Sequence, residues 1–367
     1  MKILLTARDA GSAYQQVALI QALLNLHKEL RYLFLSQQPA TDIIQQQGLQ
    51  YEDCTSEASG SCAEVQTNVA EIFHGYAPDF VLVGLSWQQW GVDEYTMQLC
   101  RETGIPTGVI QDYWGYVGQF DNKLHPDIFF VGHRDATELT QKNLGGFVKT
   151  LPVGSPKHDA YVEVAGRVGR PERTESGGGL KIVFMGQPFV IPGIRENFEI
   201  FLRGLRQCND IYSVVFKPHP ADPQSAHLCA DMVEGYIDNF RIASPSESSE
   251  MLLLESDLVV TCFSTAGVDH NYLQKFSRQQ IGELIYLLCG QTISETISKA
   301  IGQTSIPYAD RGLGTQCRSE DEFREALRAC FIGKQTGYWQ AACAELPDAG
   351  FATDAIYKHV SEAITTR

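Results

Sequence analysis

The stretch KILLTARDAGSAYQQVALIQALLNLHKELRYLFLS, residues 2–36, predicts the fold class of the first half of the chain. Residues 2–6 form a short and largely apolar run, which is typical of a strand buried on both faces of a sheet. Residues 12–30 carry apolar side chains at helical spacing, and residues 31–36 form a second β-rich run. A strand, a helix and a strand in this order predict a parallel βαβ unit.

The same rhythm continues through the rest of the first half. Further β-rich runs occur at residues 80–86, 107–110 and 127–132, and helical patterns occupy residues 62–75 and 93–103. These runs are nearly continuous in apolar residues, as burial on both faces requires. The first half is therefore predicted to form a parallel sheet with helices on both faces.

A second series of strands and helices follows a break in composition. Residues 163–179 are rich in glycine and charged residues, which predicts an exposed connection. Beyond this segment, β-rich runs at residues 180–185, 212–217, 240–243 and 257–263 predict a second parallel sheet.

The two series together predict an α/β protein with two doubly wound, Rossmann-like domains that face each other across a cleft. The expected boundaries are a first domain at residues 1–155, a linker at 156–179, a second domain at 180–345, and a helix at 346–367 that packs back toward the first domain. Ligands of such sheets bind beyond the carboxyl ends of the strands. Residues that directly follow a strand are therefore the candidates for a functional site.

Composition narrows the classes of function. The chain has 367 residues, of which 44% are hydrophobic and 20% charged, as expected of a folded protein. Its 29 basic and 44 acidic residues give a formal net charge of −15, which argues against nucleic acid and membrane surfaces as partners. No apolar run approaches the roughly twenty residues of a membrane span, and no signal-peptide pattern is found. With ten scattered cysteines at no metal-binding spacing, we predict a cytoplasmic protein without structural metal.

A histidine with a proline on each side stands at the end of a predicted strand. The strand at residues 212–217 continues into the sequence KPHP, residues 217–220, so the backbone around His219 has little freedom. The imidazole of His219, with Lys217 beside it, can donate to a phosphate oxygen or to a leaving-group oxygen. A structural histidine in a proline turn is the alternative interpretation.

Small polar residues follow two other strands of the second half. Ser264, Thr265 and Gly267 come after the strand at residues 257–263 and begin a helix, whose N-terminus favours an anion. An ordinary Ser/Thr helix cap would have the same local sequence. Gln187 follows the first strand of this half, and its amide can bind a base or a sugar hydroxyl, although a plain turn explains it equally well.

A carboxylate ends one strand of the first half. Asp112 follows the strand at residues 107–110, and the aromatic residues Tyr113 and Trp114 come next. These rings would partly exclude water from the carboxylate and raise its pKa, so Asp112 is a candidate general base. A helix cap and a surface turn are the alternatives.

The first strand is followed by a second candidate carboxylate and by small residues. Asp9, Gly11 and Ser12 join this strand to the first helix. Gly11 would allow a ligand to approach the backbone closely, although the segment lacks the GxGxxG pattern of dinucleotide-binding sites. We therefore assign Gly11 and Ser12 to substrate binding and Asp9 as the second choice for the base.

The order and spacing of several segments resemble those of the GT-B superfamily of nucleotide-sugar enzymes. FVGHR at residues 130–134, NLGG at 143–146 and LPVGSPKHD at 151–159 are similar to the run that leads from the N-terminal domain into the linker. VFKPHP at residues 215–220 and LESDLVVTCFST at 254–265 resemble the donor site of the C-terminal domain. The resemblance covers nearly the whole chain.

Within this superfamily, the chain looks most like bacterial transferases of capsule and lipopolysaccharide assembly, several of which use CMP-activated sialic acid or Kdo. The shared features are the QP, HP and ST pairs at residues 187–188, 219–220 and 264–265. The resemblance implies a glycosyltransferase that moves a sugar from a nucleotide-activated donor to a saccharide acceptor in surface polysaccharide biosynthesis. It implies neither a cofactor nor a metal, since the sequence has no DxD triplet and such enzymes typically work without one.

Two alternatives belong to other classes of function. The UDP-N-acetylglucosamine 2-epimerase family shares the fold and several landmarks, among them the sequence REN at residues 195–197 and the HP pair. The chain carries STAG at residues 264–267 in place of the Ser-Gly-Gly loop of that family. A non-catalytic nucleotide-sugar-binding protein is the other alternative, and a homodimer stays open in every case.

Overall fold

The computed structural model describes residues 1–55, 62–85, 90–117, 124–146, 148–167, 179–207, 212–220, 222–234, 237, 239–277, 279–332 and 337–366. The chain divides into two compact units. Unit 1 comprises Met1–Ala160 and Pro347–Arg367, and unit 2 comprises Tyr161–Leu346. No helix in the described ranges is long and apolar enough to cross a membrane.

Unit 1 is built on a seven-stranded parallel sheet with the strand order β3-β2-β1-β4-β5-β6-β7. Its strands are β1 (Lys2–Ala7), β2 (Arg31–Ser36), β3 (Tyr51–Asp53), β4 (Phe80–Val83), β5 (Thr107–Ile110), β6 (Ile128–Val131) and β7 (Lys149–Pro152). Its helices up to residue 160 are α1 (Ala10–Leu26), α2 (Ala40–Gln46), α3 (Cys62–Tyr76), α4 (Val92–Thr103), α5 (Arg134–Leu144) and α6 (Pro156–Asp159).

The side chains of β1 explain why this sheet is covered on both faces. Ile3 and Leu5 belong to one buried cluster of apolar residues, and Leu4 between them belongs to another. Because successive side chains of a strand point to opposite faces, β1 must be covered on both sides. The nearly continuous apolar sequence of β1 follows from this position.

Unit 2 is built on a six-stranded parallel sheet with the strand order β10-β9-β8-β11-β12-β13. Its strands are β8 (Leu180–Met185), β9 (Tyr212–Lys217), β10 (Phe240–Ile242), β11 (Leu258–Thr261), β12 (Glu283–Leu287) and β13 (Thr315–Cys317). Its helices are α7 (Tyr161–Arg167), α8 (Ile194–Arg206), α9 (Ser225–Val233), α10 (Ser249–Glu255), α11 (Ala266–Phe276), α12 (Gln291–Ile301), α13 (Pro307–Asp310), α14 (Glu320–Phe331) and α15 (Tyr338–Glu345).

The last helix, α16 (Phe351–Thr365), packs in unit 1. Its Ile356 and Val360 are buried in the apolar cluster that also contains Ile3. Asp159 caps its N-terminus, because the carboxylate accepts hydrogen bonds from Gly350 N at 2.9 Å and from Thr353 N at 3.1 Å. These bonds satisfy backbone donors that have no partner within the helix.

The strand order reverses once in each sheet, and this reversal selects the loops that can bind a ligand. In unit 1 it lies between β1 and β4, and in unit 2 between β8 and β11. Connections on the two sides of such a reversal leave in opposite directions, which opens a crevice at the carboxyl ends of the central strands.

The predicted α/β class with two Rossmann-like domains is confirmed. The sequence did not predict β3, β7, β12 or β13. The segment predicted as an exposed connection begins within α7, and its residues 168–178 lie outside the described residues. The predicted domain boundaries and the facing of the domains across a cleft stay predictions.

Candidate functional site

The loops after β8 and β11 meet at the strand-order reversal of unit 2. The buried side chain of Gln187 accepts a hydrogen bond from Phe263 N at 2.9 Å through Oε1. Beside it, Thr261 Oγ1 donates to Met185 O at 3.0 Å. Gln187 therefore holds the loop after β11 in place. Within the described residues its Nε2 group makes no hydrogen bond, so this donor is available to a ligand.

Two hydroxyl groups stand at the N-terminus of α11. Ser264 and Thr265 are both partly exposed. Ser264 Oγ accepts from Ala266 N at 3.2 Å, and Gly267 N donates to Ser264 O at 3.1 Å, so the turn into the helix is well formed. This arrangement fits a helix cap and also an anion site, since the helix terminus carries a partial positive charge.

Gly267 has a packing role that the sequence did not reveal. A methyl group on its Cα would collide with the hydroxyl of Tyr286 and lie 2.7 Å from ring atom Cε1 of the same residue. Tyr286 is fully buried on β12. The glycine thus lets α11 approach the sheet, and this contact gives no support to the predicted ligand contact.

We expect Gly267→Ala to destabilise the protein by about 1–3 kcal/mol, the usual effect of an added methyl group in a full core. Chemical denaturation of the variant would measure this. Gly75→Ala is the matched control, because Gly75 lies in α3 with nothing near the position of the added methyl. Equal stability of Gly267→Ala and the wild type would contradict the packing role.

Lys217 also differs from its predicted role at the phosphate. Its Nζ atom donates to Glu247 O at 2.6 Å, to Ser244 O at 2.9 Å and to Pro245 O at 3.5 Å. An ammonium group can donate three hydrogen bonds, and these three carbonyl oxygens accept them. Burial lowers the pKa of Lys217. The side chain therefore supports the connection between β10 and α10 rather than presenting a free charge.

His219 lies beyond the carboxyl end of β9 and is partly exposed. Burial lowers the pKa of its imidazole, and the nearby Asp222 opposes this shift. Asp222 N donates to His219 O at 2.9 Å, and the Asp222 carboxylate accepts from Phe189 N at 2.9 Å. The histidine turn is thereby joined to the loop after β8, which carries Gln187.

The carboxyl edge of the unit 2 sheet thus brings together four of its six predicted residues. Gln187, His219 and the Ser264–Thr265 turn follow β8, β9 and β11, which are neighbours in the order β9-β8-β11. Amide, imidazole and hydroxyl donors at adjacent strand ends suit a phosphate or a sugar oxygen. Lys217 and Gly267 are committed to backbone support and to packing.

In unit 1, Asp112 lies directly against Gly11. A methyl group on Gly11 would collide with Asp112 Oδ2 and lie 3.3 Å from Cγ. Burial and the negative charge of Asp9 raise the pKa of Asp112 to about 6, while its own backbone N–H and Lys157 oppose the shift. Glycine at position 11 is needed here to admit the carboxylate.

Ser12 is buried instead of facing a ligand. Its Oγ accepts from Gln16 Nε2 at 3.4 Å and lies close to the Cα of Gly84, which follows β4. Ser12 thus packs between α1 and the end of β4. The predicted contact of Ser12 with substrate has no support from this position.

The sequence analysis missed two buried carboxylates at the start of α4. Asp93 accepts a hydrogen bond from Thr6 Oγ1 at 2.6 Å, and burial together with the charge of Glu94 raises its pKa to about 7. Glu94 accepts from Gly91 N at 2.8 Å and pairs with Arg8 at 3.4 Å. The acidic pair at the start of a predicted helix was the available signal.

The unit 1 edge is therefore acidic, and two of its carboxyl groups, Asp93 and Asp112, have pKa values raised toward neutral pH. The carboxylates involved are those of Asp9, Asp93, Glu94 and Asp112, and the cations near them are Arg8 and Lys157. Within the described ranges, no group of three or more His, Cys, Asp or Glu side chains could hold a metal ion. A carboxyl group with a pKa near 6 or 7 can accept or donate a proton at physiological pH.

No protein-family model matches the sequence, and no curated protein matches it either. Solved structures are similar to it over essentially its whole length. A glycosyltransferase from Rickettsia africae has 8% identity and a TM-score of 0.68, covering 100% of this chain and 99% of its own. The chain has the GT-B fold.

Two other solved structures are similar to the chain over nearly its whole length. The UDP-GlcNAc 2-epimerase from Neisseria meningitidis, bound to UDP-GlcNAc, has 14% identity and a TM-score of 0.66, covering 99% of this chain and 100% of its own. MurG from Acinetobacter baumannii has 11% identity and a TM-score of 0.62, covering 98% of this chain and 99% of its own. At these identities the similarity establishes the GT-B fold of the chain and not its reaction.

Proposed function

We propose that the protein is an enzyme that acts on a nucleotide-activated sugar, and that its reaction is transfer of the sugar to a saccharide acceptor. The observation that carries this proposal is the set of donors at the strand-order reversal of unit 2. The amide of Gln187, the imidazole of His219 and the N-terminus of α11 follow three neighbouring strands. The N. meningitidis UDP-GlcNAc 2-epimerase, which is similar to this chain over nearly its whole length, was solved bound to UDP-GlcNAc.

In the proposed reaction the donor phosphate occupies this edge of unit 2. An acceptor hydroxyl loses its proton to Asp112, and its oxygen forms a bond to the anomeric carbon of the donor. The bond from that carbon to the phosphate oxygen breaks, and its electron pair stays on the nucleotide. His219, Ser264 and Thr265 stabilise the negative charge that develops there.

A second candidate reaction is epimerisation of the nucleotide sugar. Unit 1 carries two carboxyl groups with pKa values raised to about 6 and about 7, Asp112 and Asp93. One carboxylate removes the proton from the carbon next to the anomeric carbon, the C–H electron pair forms a double bond, and the bond from the anomeric carbon to the phosphate oxygen breaks with its electrons. Re-addition of the nucleotide, with a proton given by the other carboxyl group to the opposite face, inverts that carbon. The similarity to UDP-GlcNAc 2-epimerases is compatible with this reaction.

Nucleotide binding is the first test. We expect one or more of CMP, CDP, UDP, UDP-GlcNAc, GDP and dTDP to raise the melting temperature. A ligand at a hundred times its Kd stabilises by about 2.7 kcal/mol, which is a measurable shift. His219→Ala should weaken this shift, whereas His227→Ala, an exposed histidine on α9, should not. Absence of any shift across the panel would contradict the proposal.

Solvent deuterium separates the two reactions. Epimerisation in D₂O incorporates deuterium at the inverted carbon of the nucleotide sugar without any acceptor. Transfer releases nucleotide only when an acceptor saccharide is present and leaves unreacted donor unlabelled. Mass spectrometry of the donor, with and without a mixture of acceptor saccharides, reads out both.

A further inference from the structure

The three backbone carbonyls that accept hydrogen bonds from Lys217 all belong to one exposed loop. Residues 243–248, here called the Lys217 loop, join β10 to α10. Its Ser244, Pro245 and Ser246 are exposed, whereas Lys217 has 8% of its surface exposed. A mostly buried lysine therefore orients a loop whose outer surface is open to ligands.

Other bonds fix the same loop. Glu247 N donates to Ser244 O at 3.1 Å, and the carboxylate of Glu247 accepts from Arg241 at 2.9 and 2.7 Å. Ala243 N donates to Phe216 O at 2.8 Å, which anchors the start of the loop on β9. Charge-assisted bonds are stronger than neutral ones, so Lys217 supplies the central support of this turn.

The position of the loop relates it to the proposed phosphate site. The order β10-β9-β8-β11 places it three strand spacings, roughly 14 Å, from the end of β11. His219 and Gln187 occupy the two strand ends in between. On the opposite side of β11, the residues after β12 are the buried Leu288 and Cys289. Of these two directions, the one toward β10 offers an exposed polar surface.

We propose that Lys217 is a positioning residue that holds the Lys217 loop in the conformation that contacts the nucleobase. This inference rests on the proposed function, because it takes the phosphates to bind at the N-terminus of α11. The nucleoside then extends past Gln187 and His219 toward the loop. Backbone groups of a fixed loop can distinguish bases by their hydrogen-bonding edges, and a loop without fixed geometry cannot.

The test compares the Kd values of UDP, CDP, GDP and dTDP for the whole chain of 367 residues. We expect the wild type to prefer one base, and Lys217→Met to reduce the ratio between the best and worst nucleotide about tenfold, the equivalent of one lost hydrogen bond. The Kd of inorganic pyrophosphate should not change. Lys217→Arg, which keeps charge and donors, should retain part of the preference.

Lys275→Met is the matched control. Lys275 Nζ donates to Leu346 O at 2.6 Å, so it also holds a backbone carbonyl in unit 2, but it lies in the last turn of α11, away from the anion site. This variant should keep the base preference of the wild type. A merely structural effect of removing an ammonium group that holds a backbone carbonyl would alter both lysine variants alike.

Hydrogen exchange of the wild type gives a reading that needs no variant. The preferred nucleoside diphosphate should protect amides of residues 243–248, and inorganic pyrophosphate should not. Equal protection by both, no base preference in the wild type, or a full preference in Lys217→Met would overturn the inference and leave nucleotide binding standing. Failure of every nucleotide to bind would overturn the proposed function and the inference together.

Discussion

Asp112→Asn should lower the turnover of the nucleotide sugar about a thousandfold, within the usual range for loss of a general base. The substitution keeps the shape of the side chain against Gly11 and removes its basicity. Nucleotide affinity should stay within about threefold of the wild type, because the proposed phosphate site is in unit 2. Steady-state kinetics and the thermal-shift assay measure the two quantities separately.

The pH dependence of kcat/KM tests whether Asp112 acts as the general base. Since the pKa of Asp112 is raised to about 6, kcat/KM should rise as pH increases through 6 and then level off. Asp9→Asn removes a negatively charged neighbour, so the rising part of the kcat/KM profile should move to lower pH. Lys157→Met removes a positive neighbour and should move it to higher pH. If neither substitution changed the pH at which kcat/KM rises, the assignment of Asp112 as the base would be contradicted.

Stability distinguishes loss of the base from misfolding. A carboxyl group with a raised pKa destabilises the folded state as pH rises from its usual pKa of 3.8 through about 6, because ionisation is then harder in the folded protein. At pH 7, Asp112→Asn should therefore melt no lower than the wild type. Asp42→Asn, at an exposed position on α2, is the control for removal of a carboxylate. Near-normal activity in Asp112→Asn with an inactive Asp9→Asn would make Asp9 the base.

The sequence predicted the central strands better than the edge strands. β1, β4 and β11 are buried on both faces, and their apolar runs show it. β3 and β13 have three residues each and are partly exposed, so they carry no such run. Two-sided burial leaves an apolar run in the sequence. The exceptions are β12, which is buried along its whole length and was missed, and the edge strand β10, which was predicted.

The candidate site, too, was predicted only where the residues leave a local pattern in the sequence. Gln187 and Asp112 were found because they come directly after a strand, and carboxyl ends of parallel strands share one edge. Asp93 was missed because eight residues separate Val83 from the start of α4, so adjacency to the strand gave no signal. The packing of Gly267 on Tyr286 joins two elements and could not be read from either segment alone.

His219→Ala should lower turnover about a hundredfold, the scale of a positioned proton donor or electrostatic contact to a leaving group. Its pKa is lowered by burial, so the imidazole is neutral at pH 7 and donates one hydrogen bond. The loss should fall mainly on kcat, because the bond strengthens as negative charge develops on the phosphate. Donors with a better leaving group should react with a smaller loss.

His219→Gln separates donation from position. The amide nitrogen of glutamine can donate a hydrogen bond, so this variant should recover part of the activity that alanine loses. Asp222→Asn should have a weaker effect in the same direction, since the Asp222 carboxylate accepts from Phe189 N and only supports the histidine turn. His227→Ala, on the exposed face of α9, should leave turnover unchanged. If His219→Ala and His227→Ala have equal activity, the anion site of unit 2 does not include His219, because a donor to the leaving group cannot be removed without slowing its departure.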